Sequence, residues 1–75
     1  MNFTIYSRPA CPWCDKAADL IAQRGFTYDW ADYYDLVDTW DTVTLGSMPA
    51  TVPQIFCEGE YIGGYESLQV FLKEV

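Results

Sequence analysis

Apolar and polar residues alternate at the start of the chain, and the period then changes. Asn2-Phe3-Thr4-Ile5-Tyr6 is β-prone, and Ser7-Arg8-Pro9-Ala10 breaks the run, so a first strand is expected over residues 2–6. From Pro12 the period becomes helical. Cys14, Ala17, Ala18, Ile21 and Ala22 fall on one face, proline suits the first turn, and Gly25 marks the end. Phe26 to Trp30 reads as a second, shorter strand. Tyr33, Leu36, Val37 and Trp40 then sit at i, i+3, i+4 and i+7, which predicts a short second helix with one apolar face. Thr42 to Ala50 has no period and carries Gly46 and Pro49, the pattern of a loop. Gln54-Ile55-Phe56-Cys57 and Tyr61-Ile62 flank Glu58-Gly59-Glu60, a β-hairpin with glycine at its turn. After Gly63-Gly64, the spacing of Leu68, Phe71, Leu72 and Val75 predicts a last amphipathic helix.

The resulting order, βαβαββα, joins a crossover unit to a hairpin. It implies a single α/β domain over residues 1–75, a four-stranded mixed sheet flanked by helices. So short a chain buries only about 60–65% of its unfolded surface, so its core must be well patterned. A 51% hydrophobic and 17% aromatic composition supplies that core and argues against disorder. The net charge of −7, with only Arg8, Lys16, Arg24 and Lys73 basic, offers phosphates no basic patch, and nucleic acid is not an expected partner. Apolar runs fall far short of the ~20 residues that span a bilayer, so a soluble protein without a membrane partner is expected. Met1 leads directly into the first strand with no leader pattern, which points to a reducing, cytoplasmic setting. Asp29, Asp32, Asp35, Asp38 and Asp41 recur every third residue. A solvated helix face is the simpler reading of this row than a docking surface for a basic partner, and it lacks the pattern of a calcium loop.

The candidate chemistry lies at Cys11-Pro12-Trp13-Cys14, just where the first helix begins. An odd cysteine count argues against a stapled secreted scaffold, and a close pair in a reducing compartment is more plausibly used than structural. Thiolate is the reactive form, and a free thiol is mostly protonated at neutral pH. Cys11 stands one residue before the helix, where the first-turn N–H groups favour an anion; Arg8 adds positive charge and Asp15 opposes it. Cys14, one turn inside, is expected to be buried. Cys11 is therefore the expected attacking thiol and Cys14 the resolving one, with Trp13 covering the site. Zinc and iron knuckles also use such a pair, but they need four ligands, and the chain has no histidine and only Cys57 besides. No metal is expected, and without histidine a Cys–His hydrolase is excluded as well. Cys57, mid-strand among apolar neighbours, reads as a small buried hydrophobe.

Two further segments complete the picture. In Thr51-Val52-Pro53 the proline opens a strand, an arrangement also found simply at sheet edges. A cis bond there turns the N–H and C=O of Val52 outward for pairing with an extended peptide. Gly63-Gly64-Tyr65-Glu66-Ser67 stands between a strand and a helix, where free N–H groups bind carboxylates, although a plain turn and cap explains it equally well.

Taken in order, Cys11-Pro12-Trp13-Cys14, Thr51-Val52-Pro53-Gln54-Ile55-Phe56 and Tyr61-Ile62-Gly63-Gly64-Tyr65-Glu66 resemble the motifs of a glutaredoxin, over nearly the whole chain. The resemblance implies a thioredoxin-like fold and a glutathione-dependent dithiol oxidoreductase, monomeric, reducing protein disulfides and glutathione mixed disulfides. It implies Cys11 as nucleophile and Cys14 as resolving thiol. Glutathione, the reducing cosubstrate, is implied to bind at Arg8, Trp13, Thr51, Val52, Pro53, Gly64, Tyr65, Glu66 and Ser67. Glu66-Ser67 replaces an Asp-Asp common among relatives, and no Lys or Arg lies between Arg24 and Lys73 to meet the glycine carboxylate of glutathione. That gap keeps a second reading open: a dedicated dithiol electron donor, for instance to ribonucleotide reductase, recharged by thioredoxin reductase. A third, an iron–sulfur cluster module using Cys11 and glutathione, ranks low because Pro12 and Trp13 crowd the cluster position.

Overall fold

A computed structural model describes residues 1–75. Strand β1 (Asn2–Ser7) is followed by helix α1 (Pro12–Gln23) and strand β2 (Thr27–Asp32). A 3-10 turn (Tyr33–Asp35) then leads into two one-turn helices, α2 (Leu36–Thr39) and α3 (Thr42–Leu45). The chain closes with β3 (Gln54–Cys57), β4 (Glu60–Gly63) and α4 (Tyr65–Lys73). The sheet order is β2-β1-β3-β4, with β1 and β2 parallel and the other pairs antiparallel, the mixed four-stranded α/β arrangement that the element order predicts. No helix is long and apolar enough to cross a membrane.

Strand alternation divides the core in two. Phe3 and Ile5 of β1 and Ile55 and Cys57 of β3 face one side, where Ala17, Ala18 and Ile21 of α1 and Leu68 and Leu72 of α4 cover them. The small Ala17 and Ala18 let α1 lie close to the sheet. Tyr6 and Phe56 face the other side and meet Tyr33 and Leu36, with Trp40, Met48, Val52 and Tyr61 packed around them. Because β1 and β2 run parallel, their ends at Ser7 and Asp32 lie together, and α1 starts from that same end of the sheet.

The irregular stretch after β2 departs from the sequence expectation. No continuous helix carries Tyr33, Leu36, Val37 and Trp40 on one face: Tyr33 and Leu36 are buried, Val37 is exposed, and Trp40 has left the helix. Aspartates are the reason. Asp32 accepts the N–H of Tyr34 at 2.9 Å and starts the 3-10 turn. Asp41 accepts the N–H groups of Val43 and Thr44 at 3.0 and 3.3 Å and starts α3, inside the segment expected to be a loop. These side chains compete with the helical ladder for the same donors and so punctuate the chain. Asp29, in β2, is tied by the side-chain amide of Asn2 at 3.0 Å. The row is therefore not one solvated helix face. Ala22 is exposed rather than on the buried face of α1, its place taken by half-buried Leu20, and Val75 lies beyond the end of α4.

Candidate functional site

Ala10 adopts φ +57°, a conformation unusual without glycine, and so turns the chain that leaves β1 into α1. Cys11 follows as N-cap in extended conformation, its Sγ 3.1 Å from the backbone N–H of Cys14, which donates to it. The two cysteines are joined as a disulfide with Cα atoms 5.3 Å apart. Their surroundings differ sharply: Cys14 is 1% exposed on the buried face of α1, whereas Cys11 is partly open to solvent. An incoming thiolate therefore reaches Cys11 first. The donor at its sulfur and the helix start favour negative charge there. No group of three or more His, Cys, Asp or Glu side chains gathers at a common point.

A groove of about 360 Å³ lies beside the disulfide, lined by Trp13, Thr51, Val52, Pro53, Gly64, Tyr65, Glu66 and Ser67. All of these come from the three separate motifs, and the fold brings them together. One wall is Trp13, half exposed and packed against Tyr65 with centroids 5.3 Å apart. The opposite wall is the loop before β3. The Val52-Pro53 bond is cis, and neither the N–H nor the C=O of Val52 has a partner within the chain. Pro53 is buried and Val52 half-buried, so an edge able to pair with an extended peptide faces the groove. The third side is the start of α4. Gly64 has no side chain to cap it, and the first free N–H groups of the helix lie at Tyr65, Glu66 and Ser67. Gly63, just before, has φ +126°, and a Cβ there would stand 2.7 Å from Ser67 Oγ, so only glycine fits.

Arg8 is the one expected site residue that the structure does not bring to this groove. Its guanidinium lies over the Tyr33 ring at 4.2 Å and donates to the Ala50 carbonyl at 3.2 Å. It thus braces the Val52-Pro53 loop from behind. Other residues that the sequence reading left without a role share this work. The Tyr33 hydroxyl donates to Pro49 O at 2.5 Å, and the Trp40 indole N–H to Gly46 O at 2.9 Å. Gln54, buried, donates to Thr51 O at 2.9 Å and accepts from the Tyr61 hydroxyl at 2.5 Å. Burial pushes the Tyr61 hydroxyl up from its ordinary value, so it remains a donor. Lys16, three residues after Trp13, holds its ammonium 4.4 Å from the Trp13 ring and brings a cation to the rim. The i, i+3 spacing was the available signal for Lys16; the hydroxyl donors gave none, because their partners, the Pro49 carbonyl and the Gln54 side-chain amide, lie far away in sequence.

Cys57 is 5% exposed on the α1 and α4 side of the sheet. Burial, and secondarily Glu58, raises its thiol above the ordinary value and keeps it protonated.

Residues 3–62 match the family model described as Glutaredoxin. A glutaredoxin from Vibrio cholerae is 35% identical over 81 residues, covering 99% of this chain and 93% of the relative. The hybrid peroxiredoxin hyPrx5 of Haemophilus influenzae is 28% identical over 93% of this chain, which spans only 29% of that longer protein. Among solved structures, a buckwheat glutaredoxin–glutathione complex is similar in fold, with TM-score 0.73 and 23% identity over 96% of this chain and 68% of that one. With its close cysteine pair at the start of α1, the chain belongs to the glutaredoxin family of thiol–disulfide oxidoreductases.

Proposed function

We propose that the chain reduces glutathione mixed disulfides and protein disulfides, with glutathione as reductant and Cys11 as the attacking thiol. The observation that carries this reading is the convergence of the CPWC, Thr51-Val52-Pro53 and Gly64 to Ser67 segments on one groove beside Cys11. In the reduced protein the Cys11 thiolate attacks the substrate disulfide, forms a mixed disulfide, and releases one thiolate, which takes up a proton. When Cys11 carries a protein cysteine, Cys14 attacks Cys11 Sγ, expels the substrate thiol and closes the intramolecular disulfide. Two glutathione molecules reverse this. The first opens the disulfide at the accessible Cys11 and leaves Cys14 as a thiol. The second attacks the glutathione sulfur, leaving as oxidised glutathione with two electrons transferred. Glutathione dependence is the family norm, and the buckwheat relative is a glutathione complex.

Within the groove, Val52 supplies backbone pairing for the cysteinyl part of glutathione. The N–H groups at the start of α4 receive the γ-glutamyl carboxylate, and Glu66 the amine. Lys16 at the Trp13 rim supplies the cation for the glycine carboxylate. A reducing, cytoplasmic setting belongs to the same proposal, since the cycle depends on re-reduction. The engagement of Arg8 with Tyr33 and Ala50 favours a second reading, a dedicated electron donor recharged by thioredoxin reductase. The test is NADPH-coupled turnover of a small mixed disulfide, with glutathione plus glutathione reductase or with thioredoxin reductase alone. Turnover with glutathione is expected. It should vanish in Cys11→Ser and persist in Cys14→Ser for glutathione mixed disulfides. Activity in Cys11→Ser would sink the mechanism, and turnover only with thioredoxin reductase would replace it with the second reading.

A further inference from the structure

The largest cavity of the molecule, about 650 Å³, lies between α4 and β4. Ser67, Val70 and Phe71 of α4, with Glu74 at its C-cap, stand at i, i+3, i+4 and i+7 and form one wall. Glu60, Tyr61 and Ile62 of β4 form the other. Ser67 also lines the groove beside the disulfide, so the two depressions adjoin at that residue. Strand β4 runs toward the site and α4 runs away from it. Ile62 and Ser67 therefore stand at the near end and Glu60 and Glu74 at the far end, together with Glu58 of the hairpin turn and Met1. The channel is apolar along its length and acidic at its far end, and all three charged side chains lining it are carboxylates.

We propose that this channel is a second substrate subsite, which takes the segment of a disulfide-bearing protein flanking its reactive cysteine and selects an apolar residue followed by Lys or Arg. The proposal rests on the Cys11 chemistry given above. Glutathione, itself negatively charged and filling the first groove, gains nothing from three carboxylates, whereas a basic flank is attracted to them. A second copy of this chain is a poor occupant, since each copy carries a net charge of −7. The wall from Ser67 to Glu74 spans about 10 Å at 1.5 Å per residue, which an extended chain covers in about three residues. Val70 is 57% exposed, so its apolar surface is available for contact.

Two glutathionylated peptides test this, identical except that the cysteine is followed at a distance by Leu and then, three positions on, by a Lys pair or a Glu pair. At low ionic strength the basic peptide should have a kcat/KM about tenfold higher, with the gap shrinking as salt rises. The double variant E60K/E74K should abolish or reverse the preference. D35K/D38K, which changes net charge equally but away from the channel, should retain it. A small mixed disulfide should be turned over by both double variants within about twofold of the unaltered protein, since its groove is untouched. Equal shifts in the two double variants, or equal turnover of the two peptides, would overturn the subsite in favour of overall charge alone. Loss of all turnover in the unaltered protein would instead overturn the oxidoreductase reading. Binding remains readable in that case: a basic peptide with Ser for Cys should move the backbone resonances of Ile62, Val70 and Phe71. Shifts elsewhere, or none, would end the proposal.

Discussion

The two faces of the sheet are built from different materials and support different halves of the site. The fully buried centre of the face under α1 and α4 is mostly aliphatic, with Ile5, Ala17, Ala18, Ile21, Ile55, Leu68 and Leu72 around Phe3 and Cys57, while Phe26, Tyr28, Tyr65 and Phe71 close its margins. It holds the helix that presents Cys11 and buries Cys14, and it does so through area removed from water. The opposite face is aromatic and carries polar handles: Tyr6, Tyr33, Phe56 and Tyr61, with Trp40 4.7 Å from the Tyr61 ring. Here orientation comes from donors. Tyr33, Trp40 and Gln54 each reach a carbonyl of the loop that ends in Val52-Pro53. Burial alone is non-directional and can set a helix in place. A loop without a backbone ladder needs directional bonds to present one peptide edge.

Truncation on the aliphatic face should have the largest effect. Leu68 is fully buried between α4 and the sheet. Leu68→Ala removes packed methyl groups and leaves a cavity, at a cost of about 2–5 kcal/mol. For a domain of this size each kcal/mol lowers the melting temperature by about 4–8 °C. Calorimetry should therefore show a large drop, while KM for a glutathione mixed disulfide at a temperature where the variant is folded stays close to that of the unaltered protein. A loss of only a few tenths of a kcal/mol would show that the face is not the main source of stability.

Removing a hydroxyl on the aromatic face should do the reverse. Tyr33→Phe keeps the ring under Arg8 but deprives Pro49 O of its donor. The expected stability loss is about 0.5–1.5 kcal/mol. The principal readout is KM for a glutathione mixed disulfide, which should rise several-fold, with kcat for the same substrate nearly unchanged. If Tyr33→Phe moved the melting temperature as far as Leu68→Ala and left KM alone, the division of labour between the faces would be wrong.

The same division explains what the sequence makes legible. The aliphatic face follows from period: alternation in β1 and β3, and i, i+3, i+4 spacing in α1 and α4, place Phe3, Ile5, Ile21, Leu68 and Leu72 without reference to anything distant. The groove is legible because its residues lie in three short motifs, each at an element boundary. The segment from Asp32 to Ala50 is not. Its apolar spacing fits a helix, but Asp32 and Asp41 offer the backbone local acceptors, and Trp40 and Tyr33 find carbonyls six and sixteen residues away. Arg8 lies outside the groove for a similar reason. Three residues before Cys11 it reads as a site cation, yet two tyrosine rings and the Ala50 carbonyl take up its guanidinium.

The smallest effect expected concerns this punctuation, and it separates two aspartates that look alike in sequence. Asp41 accepts from the Thr44 hydroxyl and from the N–H groups of Thr44 and Val43, whereas Asp35, although it precedes α2, makes no such bond. The Thr44 hydroxyl first, then the backbone donors, hold the Asp41 carboxyl below its ordinary value of 3.8. The unfolded chain therefore binds this proton more readily than the folded one. The stabilisation is present above the ordinary value and is lost as pH falls through the lowered one. Asp41→Ala should lower the urea midpoint slightly at neutral pH, and the gap should close at an acid pH below the lowered value, where the carboxyl is protonated. Asp35→Ala should leave the midpoint unmoved at both pH values. Equal behaviour of the two variants would return the aspartate row to a solvated surface with no part in starting the short helices.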